Sequence, residues 1–158
     1  MNHLLISHPN MKNTGAAVRF ELYPAQDGIE GAIVAILAPQ KTVGVYSQDT
    51  ITPPTFDWCN CVNVRLSPLE VAAMLEVLRG YHESVANGQG FFHRTQAHTR
   101  IIRFEHKIDP VPCYQLHVKE RDIATDDYQE IKICFAMTEA ILLSEVFASS
   151  LVRMTFGE

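Results

Sequence analysis

One pattern occurs twice in this chain and limits what it can fold into: an alternating run, a helix cap, a helical apolar repeat, and a glycine. In the first copy, from Phe56 to Gly80, Val62, Val64 and Leu66 alternate with Cys61, Asn63 and Arg65 up to Ser67-Pro68. Leu69, Ala72, Ala73, Leu75 and Leu78 then recur at helical spacing. In the second copy, from Gln129 to Gly157, Ile131, Ile133 and Phe135 alternate with Lys132 and Cys134, Thr138 takes the cap position, and a longer apolar helix follows. Ser67 with Glu70 forms a capping box, and Pro68 suits the first helical position. The caps lie almost half of the 158 residues apart. The chain therefore reads as an α+β fold with an internal repeat, each half (14–80 and 90–157) being strand-rich and closed by a helix. Both halves belong to a single domain, 14–158, and residues 1–13 are expected to be a flexible N-terminal arm.

The remaining strands follow from alternation. In Ala16 to Tyr23, Val18, Phe20 and Leu22 share one face, while Arg19, Glu21 and Tyr23 share the other. Pro24 to Gly28 is turn chemistry. Gly31 to Ala38 is apolar on both faces and reads as a central strand, with a short strand expected at Thr42 to Tyr46. Phe91 to Glu105 gives two strands split near Gln96-Ala97, and Tyr114, Leu116 and Val118 mark another. The last helix, Thr138 to Val152, carries Ile141, Leu142, Leu143, Val146, Phe147, Leu151 and Val152 around most of its circumference. A helix apolar nearly all round is buried on more than one side, so a homo-oligomer is expected through it.

Several function classes are set aside. There is no glycine-rich phosphate loop, G-x-S-x-G or HExxH pattern, so catalysis and cofactors are not expected. Cys59-x-Cys61 lacks the second matched pair of a zinc site, so no metal is expected. Cys59, Cys61, Cys113 and Cys134 are expected to be free thiols. No apolar run approaches a membrane span and no signal peptide is present, which makes the cytoplasm the expected location. The net charge of −5 weighs against a uniformly basic nucleic-acid binder and leaves room only for a local basic face. Such a face is available on the strands. Arg19, Arg65 and Lys119 lie opposite the apolar side of their own strands, and Arg100 and Arg103 bracket Ile101-Ile102. With Tyr23, Tyr46, Phe91 and Phe92 they form the candidate surface for a single-stranded backbone and its bases. Arg100 and Arg103 face the same way only if a bulge intervenes.

The order of motifs resembles the Whirly proteins, plant single-stranded-DNA-binding proteins related in fold to the kinetoplastid mitochondrial RNA-binding proteins and to the positive-cofactor transcription coactivators. Gly15-Ala16-Ala17-Val18 with Glu21 and Pro24 is similar to the family's first strand, and Gly31–Gln40 to its second. Phe56-Asp57-Trp58 is similar to its aromatic-Asp-Trp strand, followed by Leu66-Ser67 and Glu70. Gly90-Phe91-Phe92-His93, Arg100–Glu105 and the closing helix ending Phe156-Gly157 follow in order. Only Lys12 stands near the family's lysine-rich first strand, and Asn60 and Cys61 occupy positions where the family is basic. The resemblance implies two antiparallel four-stranded sheets packed crosswise, a homotetramer built on the helices, and low-specificity binding of single-stranded nucleic acid, DNA favoured, with a transcriptional role. Arg19, Arg65, Arg100, Arg103 and Lys119 are the expected contacts. The alternative is an oligomeric protein-interaction or structural protein that keeps the fold without the ligand.

Overall fold

The computed structural model describes residues 2–158. In chain order the strands of the first half are β1 (His3–His8), β2 (Ala16–Tyr23), β3 (Ala32–Thr42), β4 (Val45–Tyr46), β5 (Ile51–Thr52), β6 (Thr55–Phe56) and β7 (Val62–Leu66), followed by helix α1 (Pro68–Leu78). The second half holds β8 (Phe91–Arg94), β9 (His98–Lys107), β10 (Cys113–Asp122), β11 (Tyr128–Phe135) and helix α2 (Met137–Phe156). Every strand pairing is antiparallel. One sheet runs β1-β2-β3, with β7 along one stretch of the far edge of β3 and the short β6 along another. The second sheet runs β11-β10-β9-β8, and β4-β5 forms a separate ribbon. Each half is thus a strand meander closed by a helix, as the repeat implies.

The alternating pattern settles which faces are buried. Val18, Phe20, Ile33, Ala35, Leu37, Val62, Val64 and Leu66 line the inner face of the first sheet, and Ile102, Phe104, Tyr114, Leu116, Val118, Ile131, Ile133 and Phe135 that of the second. Helices α1 and α2 pack on each other and against both sheets. At the centre, Phe20 of β2 meets Phe147 of α2 edge-on at 5.5 Å and Phe135 of β11 at 6.2 Å, and Phe135 meets Phe104 of β9 at 6.5 Å.

The helix starts repeat each other in detail. Ser67 accepts from the Glu70 amide, and the Glu70 carboxylate accepts from the Ser67 amide, which completes the expected box. In α2 the cap position falls to Ala136 rather than Thr138, and the carboxylate of Glu139 accepts from the Ala136 amide. Each of these glutamates also bonds a histidine from the first strand of the opposite half. Nε2 of His93 lies 2.6 Å from Glu70, and Nε2 of His8 lies 2.7 Å from Glu139.

Three expectations are corrected. The described part of the expected flexible arm 1–13 is ordered, Met1 lying outside the described residues: His3–His8 pairs with β2 along its whole length, with Leu4 opposite Phe20 and Ile6 opposite Val18. Ile6 is buried in the core, and the pairing satisfies an edge of β2 that would otherwise be open. The loop behind β1 is anchored by buried Gln40, whose side chain accepts from the Asn10 and Gly15 amides and donates to the Asn10 and Thr42 carbonyls. A Cβ on Gly15 would stand 2.2 Å from the His8 carbonyl oxygen, so only glycine permits this approach. The strand expected at Thr42–Tyr46 is divided: β3 continues to Thr42, while Val45-Tyr46 turns off into the ribbon with Ile51-Thr52. The inward stripe of α1 is Val71, Met74, Leu75 and Val77, and Leu69 is 84 % exposed. No helix is long and apolar enough to cross a membrane among the described residues.

Because β1 carries part of the core, Ile6→Ala is expected to lower stability by about 2–5 kcal/mol in urea unfolding. A change within about 0.5 kcal/mol would mean that the segment is a detached arm.

Candidate nucleic-acid interface

Since Ile102 and Phe104 of β9 and Leu116 and Val118 of β10 point into the core, their neighbours in the pleat point out. The register then assembles rows across the outer face of the second sheet. Arg94, Thr99, Arg121 and Tyr128 form one row; Phe92, Ile101, Lys119 and Glu130 form the next; Arg103, His117 and Lys132 form the third. Beyond them lie Glu105, Gln115 and Cys134, with Lys107 beside Cys113. Arg94, Arg103, Lys107, Lys119, Arg121 and Lys132 therefore share a face on which Glu105 and Glu130 are the acidic strand residues, with Asp126 of the β10–β11 turn against Arg121, in a chain whose net charge is −5.

The cations on this face differ in how they are engaged. Lys107 pairs with Glu105 at 3.2 Å, Lys132 pairs with Glu130 at 3.5 Å, and Arg121 bonds Asp126. Arg94, Arg103 and Lys119 have no carboxylate within 4.0 Å among the described residues. Two aromatic rings stand out from the same surface: Phe92 is 64 % exposed and Tyr128 59 %. The Lys119 ammonium lies 4.9 Å and the Arg121 guanidinium 5.9 Å from the Tyr128 ring centre, so the ring is flanked by cations but open to a stacking partner.

Of the five expected contact residues, Arg103 and Lys119 stand on this face. Arg19 and Arg65 stand on the outer face of the first sheet. There Arg19 forms an ion pair with Glu21 at 2.9 Å, without an aligned hydrogen bond from its Nε, and lies 5.4 Å from the Trp58 ring, and Arg65 donates to the Glu30 carbonyl at 3.5 Å. Their rows are mixed rather than basic: Leu5, Arg19, Ile36 and Asn63, then His3, Glu21, Val34 and Arg65.

Arg100 is a correction. The β9–β10 ladder is unbroken from Lys107 to His98, so no bulge rescues its orientation. It points to the core side, beyond the apolar residues, where its Nε bonds Glu120 at 2.6 Å, with His98 3.8 Å from the same carboxylate. The structure adds Arg94, Arg121, Lys132, Lys107 and Tyr128 to this face, and parity with Phe92, Lys119 and Cys134 carries the sequence signal for three of them. Among the suggested aromatics, Phe91 packs against the core, Tyr23 donates to Glu21, and Tyr46 lies in the ribbon.

All four cysteines are free. Burial and the neighbouring Cys134 thiol push Cys113 up to about 11, so it is held as the thiol. His93 and His98 belong to separate carboxylate pairs, and no group of three or more metal-ligating side chains is gathered among the described residues.

No family model matches the chain, and no curated protein matches it significantly. Solved structures do. The plant transcriptional regulator PBF-2 superimposes with a TM-score of 0.72 at 16 % identity, over 98 % of this chain and 90 % of that one. WHY1 from Arabidopsis thaliana gives 0.70 at 16 % identity, over 99 % and 87 %. A guide-RNA-binding protein complex bound to its guide RNA gives 0.55 at 16 % identity, over 95 % and 89 %. The fold is Whirly-like across essentially the whole chain.

Arg100→Gln should strand the half-buried Glu120 carboxylate and lower stability by about 1–3 kcal/mol in urea unfolding. Arg103→Gln, on the wet face, should change stability by less than about 0.5 kcal/mol. Equal effects would contradict this division of the two arginines between faces.

Proposed function

We propose that this chain is a non-catalytic single-stranded nucleic-acid-binding protein that docks its ligand on the outer face of the second sheet. The observation that carries the reading is the concentration of Arg94, Arg103, Lys107, Lys119, Arg121 and Lys132 with exposed Phe92 and Tyr128 on one face of an acidic chain. Cations spaced across adjacent strands suit a phosphodiester backbone, and rings standing among them suit unpaired bases. A duplex keeps its bases stacked inside and cannot use the rings. Stacking on exposed aromatics reads little sequence, so low specificity follows. Two fold neighbours support the class: one is a guide-RNA-binding complex bound to guide RNA and another a transcriptional regulator, and neither is described as an enzyme. A transcriptional role in the cytoplasm is the corresponding cellular reading, with single-stranded DNA the first ligand to test and RNA the second.

The protein works as a homo-oligomer, a tetramer by analogy with the family it resembles. In the single chain only one stripe of α2 is covered, by Ala140, Leu143, Phe147 and Met154, while Ile141, Leu142 and Val152 lie exposed on a helix of 20 residues. A second copy of the helix would bury them. Assembly places several basic faces on one particle and raises affinity for long strands through effective concentration. The rival reading, a scaffold that kept the fold without the ligand, draws on the same exposed stripe and on the −5 charge.

Fluorescence anisotropy with a labelled single strand of about 30 bases should show binding that beats duplex. With the six cations of this face engaged the slope of log K against log salt should be about −4. Arg103→Glu with Lys119→Glu should weaken binding at least about tenfold and flatten the slope, since each lost phosphate contact removes roughly 0.7 from it. No binding at low salt would favour the scaffold reading. Separately, Ile141→Glu with Val152→Glu should reduce the particle mass in light scattering while leaving the far-ultraviolet dichroism unchanged. An unchanged mass would remove α2 from the interface.

A further inference from the structure

We propose that His117 is the central phosphate ligand of this face and takes up a proton as the backbone settles between Lys132 and Arg103. The inference rests on the nucleic-acid reading above and adds a residue and a proton to it.

The geometry begins with register. His117 lies on a central strand, with Lys132 directly opposite on β11 and Arg103 directly opposite on β9. Adjacent strands run about 4.8 Å apart, so the three side chains span roughly 10 Å abreast. The His117 side chain is only 14 % exposed, and its Nε2 lies 2.7 Å from a Glu130 oxygen but without an aligned hydrogen bond. A buried ring nitrogen is thus left without a hydrogen bond, beside the Glu130 carboxylate and in register between two outward cations.

The charges around the ring explain why a histidine and not a third lysine suits the place. From β11, Lys132 and Glu130 face it, with Cys134 diagonally placed; from β9, Arg103 faces it, with Glu105 diagonal; on its own strand Lys119 and Gln115 flank it. Burial first, and then Lys132 and Arg103, hold its pKa below the ordinary value, while Glu130 works in the opposite direction. In the free protein the ring is therefore neutral near pH 7, and the row carries two charges without a third between them. A phosphodiester lying on the row brings a negative charge to the ring edge and offsets both neighbouring cations. The repulsion from Lys132 and Arg103 is then offset, although burial is not, and the protonated ring donates to a phosphate oxygen.

The sign follows from linkage. The free ring titrates below about 6.5, and the bound ring titrates higher. Binding takes up a proton between those two values, so affinity rises as pH falls through that window, by at most about tenfold per pH unit. Affinity is level above the bound value and level again below the free value. Among the described residues no other histidine stands on this face. His3 lies on the outer face of the first sheet, His8 pairs with Glu139 and His82 with Glu76, His93 and His98 pair with carboxylates on the core side, and His106 stacks on Tyr114.

The test is anisotropy with the same single-stranded oligonucleotide at fixed ionic strength, from pH 8 to pH 5.5, for the wild type, His117→Gln and His3→Gln. The wild type and His3→Gln should bind several-fold more tightly at the acid end, and His117→Gln should lose that dependence. A pH-independent wild type, or an undiminished dependence in His117→Gln, would overturn the role of His117 while leaving the nucleic-acid reading standing. No binding by the wild type at any pH would overturn the nucleic-acid reading itself. As a measurement independent of any variant, the His117 Cε1–H resonance should titrate at higher pH in the oligonucleotide complex than in the free protein. An unchanged titration midpoint would overturn the proposal.

Discussion

The contact between Phe20, Phe135 and Phe147 is the constraint on which the rest of the molecule depends. These rings come from the first sheet, the second sheet and the last helix, and Phe104 extends the cluster into β9. Once these rings are buried against one another, each sheet has one face committed to the core. The period-2 pleat then dictates that every intervening residue of β9, β10 and β11 points the other way. The basic face is a by-product of that commitment. Arg103, His117, Lys119 and Lys132 share a surface because Ile102, Phe104, Leu116, Val118, Ile131 and Ile133 share the core.

The two halves are interlocked as well as stacked. Glu70 and Glu139 occupy equivalent positions at the starts of α1 and α2, each closing its own cap and each receiving a histidine from the other half. The β8 strand is thereby tied to α1 and the β1 strand to α2. This reciprocity gives the internal repeat a physical meaning: each half lends a histidine to the helix terminus of the other. It also explains why β1 is ordered, since its far end is held by Glu139 and its loop by Gln40.

The strands and helices were legible where alternation ran for five residues, as in Val62–Leu66 and Ile131–Phe135, or where a capping box stood, as in Ser67–Glu70. The N-terminal strand was not, because His3–His8 offers only Leu4 and Ile6 as an inward pair and owes its order to pairing with β2. Leu69 looked apolar and helical but faces solvent, since a first-turn position can miss the core when the helix axis is fixed by later residues. The basic face was half legible. Parity within a strand separated Arg103 from Arg100, yet which strands lie side by side is a long-range fact. The rows joining Arg94 to Arg121 and Arg103 to Lys132 therefore emerged only from the register.

The central claim is that single-stranded nucleic acid lies across the outer face of β8 to β11 and stacks on its exposed rings. Ultraviolet crosslinking to a thymine oligonucleotide, followed by mass spectrometry of the adducted peptides, reads this surface directly. Adducts on Phe92 and Tyr128 are the expected result. Adducts confined to Trp58 and Tyr23 would move the ligand to the first sheet, and those confined to Tyr46 would move it to the β4-β5 ribbon. Either would contradict the account.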